Sequence, residues 1–417
     1  MIQLKTVKEV KVGIKFNDKT IPVGRLAMRD RAIYFEYDQV FIDRDLNISP
    51  LQLPLKYGVR SFDYNLFQGL PGVFNDSLPD GWGRLLFDRF ARMQGINSAE
   101  ITPLDRLANV GTRGMGALVF EPDYSDEETH NEVSLDVLSQ QAQHILEGDS
   151  NEVLQTLLTL NGSSAGARAK ALIGINQTFD HIVYNSNDLP IEYTAWLVKF
   201  SNTQDGFDAG AIEYIYALMA KDAGIEMPDI HLFTAQQGMG YFAVKRFDRT
   251  KNKRYHMHTA CGLLHSDFRT PSLDYEDLIA LTSQLTRDVR EVEKMYQLAV
   301  FNVLSHNRDD HAKNFSFLMD EQGQWKLSPA YDITFSSGPN GEQSTMVMGE
   351  GKNPNTQHLI KLGLSANLKK NTINTIIEQT KNALSRWNEH AKNYGISVSN
   401  IKLIDKILNQ QHTIFKK

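Results

Sequence analysis

An aspartate and an asparagine stand five positions apart in His306-Asn307-Arg308-Asp309-Asp310-His311-Ala312-Lys313-Asn314, and Tyr331-Asp332 places a further acid eighteen residues beyond that asparagine. The segment between them constrains the fold more than any other stretch. Phe315-Ser316-Phe317-Leu318-Met319 and Trp325-Lys326-Leu327 are apolar-rich runs, and Asp320-Glu321-Gln322-Gly323-Gln324 between them is polar and carries a glycine. That pattern predicts a β-hairpin. The midpoint of 314 and 332 falls on Gly323, so a turn there returns Asp332 beside Asn314.

Residues gathered in this way suit phosphoryl transfer from a nucleotide, which needs one carboxylate to orient a hydroxyl and an Asn and Asp to hold Mg²⁺. Asp309 is the candidate catalytic base. Asn314 and Asp332 offer the hard oxygens that Mg²⁺ prefers. His311 and Lys313 stand where they could face phosphates, although Lys313 is equally readable as a solvated loop lysine. Lys199 lies in the apolar run Tyr193-Thr194-Ala195-Trp196-Leu197-Val198-Lys199-Phe200 and is costly to bury without a partner. It is read as a phosphate contact paired with Glu213, against the plainer reading of an edge-strand lysine facing solvent. The small-residue loop Gly162–Lys170 lacks the Gly-Lys-Ser/Thr ending of a Walker motif. Its backbone N–H groups can still approach an anion closely, with Arg168 and Lys170 adding charge. Ser163 and Ser164 at its lip are candidate phosphorylation sites. Gly111–Gly116 is glycine-rich but is read as a turn. His256, His258, His265 and Asp267 match no zinc spacing and are read as hydrogen-bonded residues.

Composition bounds the class without naming it. With 417 residues, 41% hydrophobic and 23% charged, the chain is expected to form two or three globular domains. A formal net charge of −6 gives no support to bulk nucleic-acid binding. The early arginines, Arg25, Arg29 and Arg31 and then Arg84, Arg89 and Arg92, are read as solvated or salt-bridged. One cysteine, Cys261, excludes an internal disulfide and reads as a packed small residue. The N-terminus alternates charged and apolar residues, and no apolar run approaches the ~20 residues that span a bilayer. A cytoplasmic protein is expected.

Along the chain, residues 1–60 read as short strands. Helices are expected from about Leu85 to Met93, over Leu135–Leu146 and over Glu152–Leu160, with an acidic, proline-containing linker near Glu121–Glu128 between the first and second of these. Further strands are expected over Tyr193–Phe200 and Tyr241–Asp248, and a helix through Ile212, Ile215, Met219 and Ala220 that ends at Gly224. Beyond residue 256 the character is helical, including Leu368–Asn388 and Ile401–Gln410. The fold class expected is α+β: a two-lobed, protein-kinase-like fold with a β-rich N-terminal subdomain and a mostly helical C-lobe. The divisions are 1–122 for the β-rich subdomain, 136–249 for the kinase N-lobe and 250–417 for the C-lobe.

With these residues in hand, the chain resembles the HipA family, the serine/threonine kinases of bacterial type II toxin–antitoxin modules. The resemblance is carried by Val23-Gly24-Arg25-Leu26, Ser49–Leu55, Leu78-Pro79-Asp80-Gly81, Ser163–Lys170, Lys245-Arg246-Phe247-Asp248-Arg249, Asn307–Asn314 and Pro329-Ala330-Tyr331-Asp332. It implies ATP and Mg²⁺ as cofactors. Asp309 would be the catalytic base, with Asn314 and Asp332 on the metal and Tyr331 beside it. Ala165, Gly166, Ala167, Arg168, Ala169, Lys170 and Lys199 would contact the phosphates. Backbone groups of Lys245 and Phe247, with Arg246 between them, would hold the adenine. Ser163 matches the position that relatives autophosphorylate to switch themselves off, an event for which an added phosphate dianion makes physical sense. Two positions depart from the pattern: Lys245 is often Glu, and Arg308 stands where Thr is common. The implied partners are a helix-turn-helix, HipB-like antitoxin and a protein substrate, possibly an aminoacyl-tRNA synthetase, with operator DNA met mainly through the antitoxin. Two other readings stay open: a lipid or small-molecule kinase, and a catalytically silent nucleotide-binding regulator.

Overall fold

The computed structural model describes residues 5–125, 132–148, 154–161, 166–184, 189–201, 206–251, 253–270 and 272–414. Ser163, Ser164 and Ala165 therefore lie outside the described residues.

Strands β1 (Glu9–Lys15), β2 (Thr20–Arg29), β3 (Ala32–Tyr37), β4 (Arg60–Ser61) and β5 (Leu118–Glu121) form an antiparallel sheet in the order β4-β3-β2-β1-β5. Alternation along β1 sends Val10, Val12 and Ile14, and β2, bulged at Val23, sends Val23 and Leu26, into a core shared with Phe74, Leu104 and Leu107. The helix Pro103–Val110 closes this core. It begins with a reciprocal capping box between Thr102 and Asp105 and has proline in its first turn.

The second sheet contains β6 (Lys170–Asn176), β7 (Ile182–Tyr184), β8 (Tyr193–Lys199), β9 (Ile230–Phe233) and β10 (Tyr241–Lys245), in the order β7-β6-β8-β10-β9. β8 is thus the central strand, and its register sets Lys199 opposite Lys170. The helices Leu135–Glu147 and Leu154–Asn161 pack on this sheet, as does Gly81–Met93, which starts at Gly81 rather than near Leu85. Trp82, Leu86 and Phe90 join Ala171, Ile173, Trp196 and Val198 in one core. A helix from the N-terminal part of the chain therefore supports the second sheet.

The remainder is mostly helical, with a core running from Ile215 and Met219 of the helix Ala209–Asp222 through Met295, Tyr296 and Phe301 to Ile373, Trp387 and Leu408. Two short strands, β11 (Arg249–Thr250) and β12 (Lys253–Arg254), pair beside it. Residues 256–259, expected to be helical, instead form β13 (His256–Thr259), which pairs with β14 (Ser316–Met319); β14 pairs in turn with β15 (Trp325–Leu327). Burial every second residue explains the difference, because His256 and His258 are both enclosed and both bonded. His256 Nε2 meets the Ile48 carbonyl at 2.9 Å. His258 bridges Ser49 Oγ at 3.0 Å and Asp76 Oδ2 at 2.6 Å, and Asp76 also accepts the Thr259 amide and hydroxyl. These bonds fasten the N-terminal region to β13 and, through its pairing, to the β14–β15 hairpin.

A second fastening is ionic. Asp248 is 0% exposed, accepts from Arg246 at 2.6 Å and from the Gly116 amide at 2.8 Å, and lies 3.4 Å from Arg249. Burial alone would raise its carboxyl, but the two guanidinium groups outweigh burial and hold it well below the carboxylate range. Both arginines also donate to the Gly114 carbonyl, and Arg254 donates to that of Thr112. The Gly111–Gly116 segment is thus a turn held by the arginine cluster. Cys261 is buried, and its thiol is pushed up to about 12 by that burial. Among the described residues, no helix is long and apolar enough to cross a membrane.

Candidate active site

The helix Val289–Leu304 is capped by Asp288 and leads directly into the candidate catalytic segment. Past its end, His306 takes a left-handed φ of 58°, and the Asn307 amide turns back to the Asn302 carbonyl at 2.9 Å. The two adjacent acids then part. Asp310 is enclosed, and its carboxylate accepts from the Tyr275 hydroxyl (2.7 Å), Gln343 Nε2 (2.9 Å) and the amides of Ser344 (2.9 Å) and Thr345 (3.2 Å). Burial pushes its pKa up to about 6 in spite of these donors. Asp309 faces outward and is 56% exposed. Desolvation by the surrounding protein raises its carboxyl above the ordinary value; His311, 3.9 Å away, opposes this, Asp332 adds to it and Lys199 opposes it again. Asp310 anchors the loop, which leaves Asp309 presented to solvent.

The hairpin turns at Gly323, whose φ of +78° suits glycine. Asn314 lies just before β14, and its Nδ2 donates to the Asp309 carbonyl at 2.7 Å. Tyr331 bonds the Lys313 carbonyl and Ser316 Oγ through its hydroxyl, and its ring packs 5.4 Å from that of Phe247. Asp332 follows with a left-handed φ of 55°, a conformation that aspartate tolerates better than most residues.

Lys199 is 7% exposed, so the solvent-facing reading of that residue is overturned. Its ammonium contacts both Glu213 and Asp332. Burial would lower its pKa, but Asp332 and then Glu213 raise it, so it stays protonated. Packing would likewise raise Asp332, which Lys199 and Lys170 hold well below the carboxylate range. Glu213, on the helix Ala209–Asp222, is 1% exposed and also binds Arg168 at 2.8 Å. Lys170, enclosed at the start of β6, is brought down to about 8 by burial and by Lys199.

Lys199, Glu213, Arg168, Lys170, Asp332 and Asp309 are thus drawn into one electrostatic network. Other candidates are placed differently. Lys313 is enclosed and paired with Asp80 at 2.6 Å rather than solvated. The Lys245 amide donates to the Asp229 carbonyl, and its Nζ reaches that residue's carboxylate at 3.0 Å. Arg246 turns its guanidinium into the Asp248 cluster, while Phe247 stays half-buried beside Tyr331. Gly166, Ala167 and Ala169 run along the loop into β6. His256 and His258 serve the interlobe contact, and no cluster of three or more metal-binding His, Cys, Asp or Glu residues occurs among the described residues.

Residues 162–387 match the family described as HipA-like C-terminal domain, and residues 16–121 match that described as HipA N-terminal domain. The chain belongs to the HipA family. Over 162 residues it is 28% identical to the protein Y4dM of Sinorhizobium fredii, covering 35% of this chain and 39% of that one. It is also 28% identical over 103 residues to the serine/threonine-protein kinase toxin HipA of Shewanella oneidensis, covering 25% of this chain and 22% of the toxin. The aligned stretches span less than half the length of these curated relatives. The fold agrees over a longer range. A chain of the Shewanella oneidensis complex of HipA, HipB and operator DNA superposes with a TM-score of 0.68 at 16% identity, covering 96% of this chain and 95% of that chain. The two-lobed HipA architecture is therefore shared throughout.

Proposed function

We propose that this HipA-family chain is an ATP- and Mg²⁺-dependent serine/threonine protein kinase that acts as the toxin of a type II toxin–antitoxin pair. The observation that carries this reading is the buried Lys199–Glu213 pair set against Asp332, with Asp309 exposed beside it. A kinase uses such a lysine–glutamate couple to hold nucleotide phosphates and such an outward acid to receive the acceptor hydroxyl. The raised pKa of Asp309 suits a group that must take up a proton.

The donor set fits Mg²⁺. Asp332 is kept ionised and is 33% exposed. Asn314 already uses its amide nitrogen on the Asp309 carbonyl, which leaves its oxygen as the end available to a cation. When bound, the ion would neutralise phosphate charge. Lys199 and Lys170 would add fixed positive charge there, and the loop from Ala165 to Lys170 would offer backbone donors. Adenine would lie near Lys245 and Phe247, and Ser163 would be the autophosphorylated off-switch. A HipB-like antitoxin is the proposed partner, because a relative with this fold is found with HipB and operator DNA.

Asp332→Ala is expected to weaken Mg²⁺-dependent nucleotide binding by roughly tenfold or more, the worth of a lost charge-assisted contact. Titrating nucleotide with and without Mg²⁺ checks this; an unchanged metal dependence would remove Asp332 from the ligand set. Phosphoproteomics of cells briefly expressing the wild type beside Asp309→Asn tests the kinase reading and identifies the target. Indistinguishable phosphoproteomes would end it.

A further inference from the structure

Asp80 stands immediately before the helix Gly81–Met93, where an aspartate ordinarily accepts from the first amides of its own helix. It makes no such cap. One carboxylate oxygen instead accepts the amide of Gly166 in the small-residue loop, and the other accepts Lys313 Nζ at 2.6 Å. The Trp82 amide donates back to the Gly166 carbonyl at 3.0 Å, so that loop residue is gripped from both sides. Gly81, with a φ of +41°, lies so close that a β-carbon there would collide with the Gly166 carbonyl and come within 2.7 Å of Ala167 Cα. The support behind the grip is rigid, because Trp82, Leu86 and Phe90 are packed into the core beneath β6 and β8.

Lys313 immediately precedes Asn314 in the segment that carries Asp309. Asp80 therefore ties the loop on one side to the catalytic segment on the other, from a part of the chain that precedes both by at least 86 residues. We propose that Asp80 is a positioning residue that fixes the separation between the phosphate loop and the catalytic segment, making the N-terminal region part of the nucleotide site. This rests on the kinase reading above.

The test compares full-length wild type with Asp80→Asn, Asp80→Ala and Gly81→Ala. Two quantities are measured: hydrogen exchange of the 166–170 amides without nucleotide, and KM and kcat for basal Mg·ATP hydrolysis. Asp80→Ala is expected to speed exchange at Gly166 and raise KM for ATP about tenfold, as loss of a charged hydrogen bond implies, with a smaller change in kcat. Asp80→Asn keeps an oxygen for Gly166 but loses the charge facing Lys313, so its exchange should rise less than that of Asp80→Ala. Gly81→Ala should displace the loop by steric contact alone and raise KM with the acid intact. A merely structural role would lower the melting temperature and leave KM unmoved. Unchanged exchange, or faster exchange with wild-type KM, overturns the proposal. If Asp80→Ala does not fold, the other two variants decide. A wild type that neither binds nor hydrolyses Mg·ATP overturns the kinase reading and this inference together, and that failure shows in the wild-type arm alone.

Discussion

Asp309→Asn is expected to slow phosphotransfer about 10²–10⁴-fold, the contribution of a positioned general base, while nucleotide still binds. The geometry explains why binding should survive. The contacts of Lys199 with Glu213 and Asp332 do not involve the Asp309 side chain, which acts on that network only through its charge, and it is the Asp309 backbone carbonyl, unaffected by the substitution, that holds Asn314. Growth arrest should disappear with the activity. The wild-type pH profile should carry the same signature. Protonated Asp309 cannot accept the hydroxyl proton, so the rate falls on acidification through its pKa. Because that pKa is raised, the acid limb should lie above that of a free aspartate. Full toxicity in Asp309→Asn, or an acid limb near that of a free aspartate, would remove this residue from the chemistry.

Asp248→Ala is expected to destabilise the protein by about 3–5 kcal/mol, because it leaves Arg246 and Arg249 buried without their counter-charge. A surface comparison sharpens the claim. Glu9 pairs with Arg25 at 3.4 Å where both side chains are about half exposed, and Glu9→Gln should cost only about 0–1 kcal/mol. Denaturant midpoints for the two variants measure the contrast. Equal losses would mean that the arginine cluster is not the fastening described here.

Legibility of the site in the sequence followed the distance between partners. Asn314 and Asp332 flank one hairpin, so their spacing alone suggested that they meet; the structure ties Asn314 to the Asp309 carbonyl and sets the Asp332 charge against the Asp309 carboxyl. Lys199 was visible as a charge in an apolar strand, and Glu213 as an acid on the next helix. The residues that were missed bond far along the chain. Asp80 meets Lys313 across 233 positions, Asp76 meets His258 across 182, and Asp248 meets Gly116 across 132. Asp80 and Asp248 stood in segments that carry the family resemblance, but nothing local marks the partner of any of the three. Asp310 was hidden by its neighbour, since two adjacent aspartates look alike until one is seen to be enclosed. The fold was legible wherever periodicity was unambiguous, as in β1, β2 and the helix Ala209–Asp222. The strand β13 was not, because four residues carry too little pattern to identify a strand whose partner lies some sixty positions away.

The long reach between Asp80 and Lys313 bears on how the protein is made. The loop's grip comes from the first hundred residues, the lysine–glutamate couple from the middle, and the aspartate that meets that couple only at position 332. Synthesis runs from the N-terminus, so a nascent chain emerging from the ribosome carries most of its scaffold before these side chains can all meet. Contacts of such large sequence separation also form slowly. Under the kinase reading proposed above, the site would be complete only when nearly all of the chain has emerged, which would give an antitoxin time to be present when activity first arises.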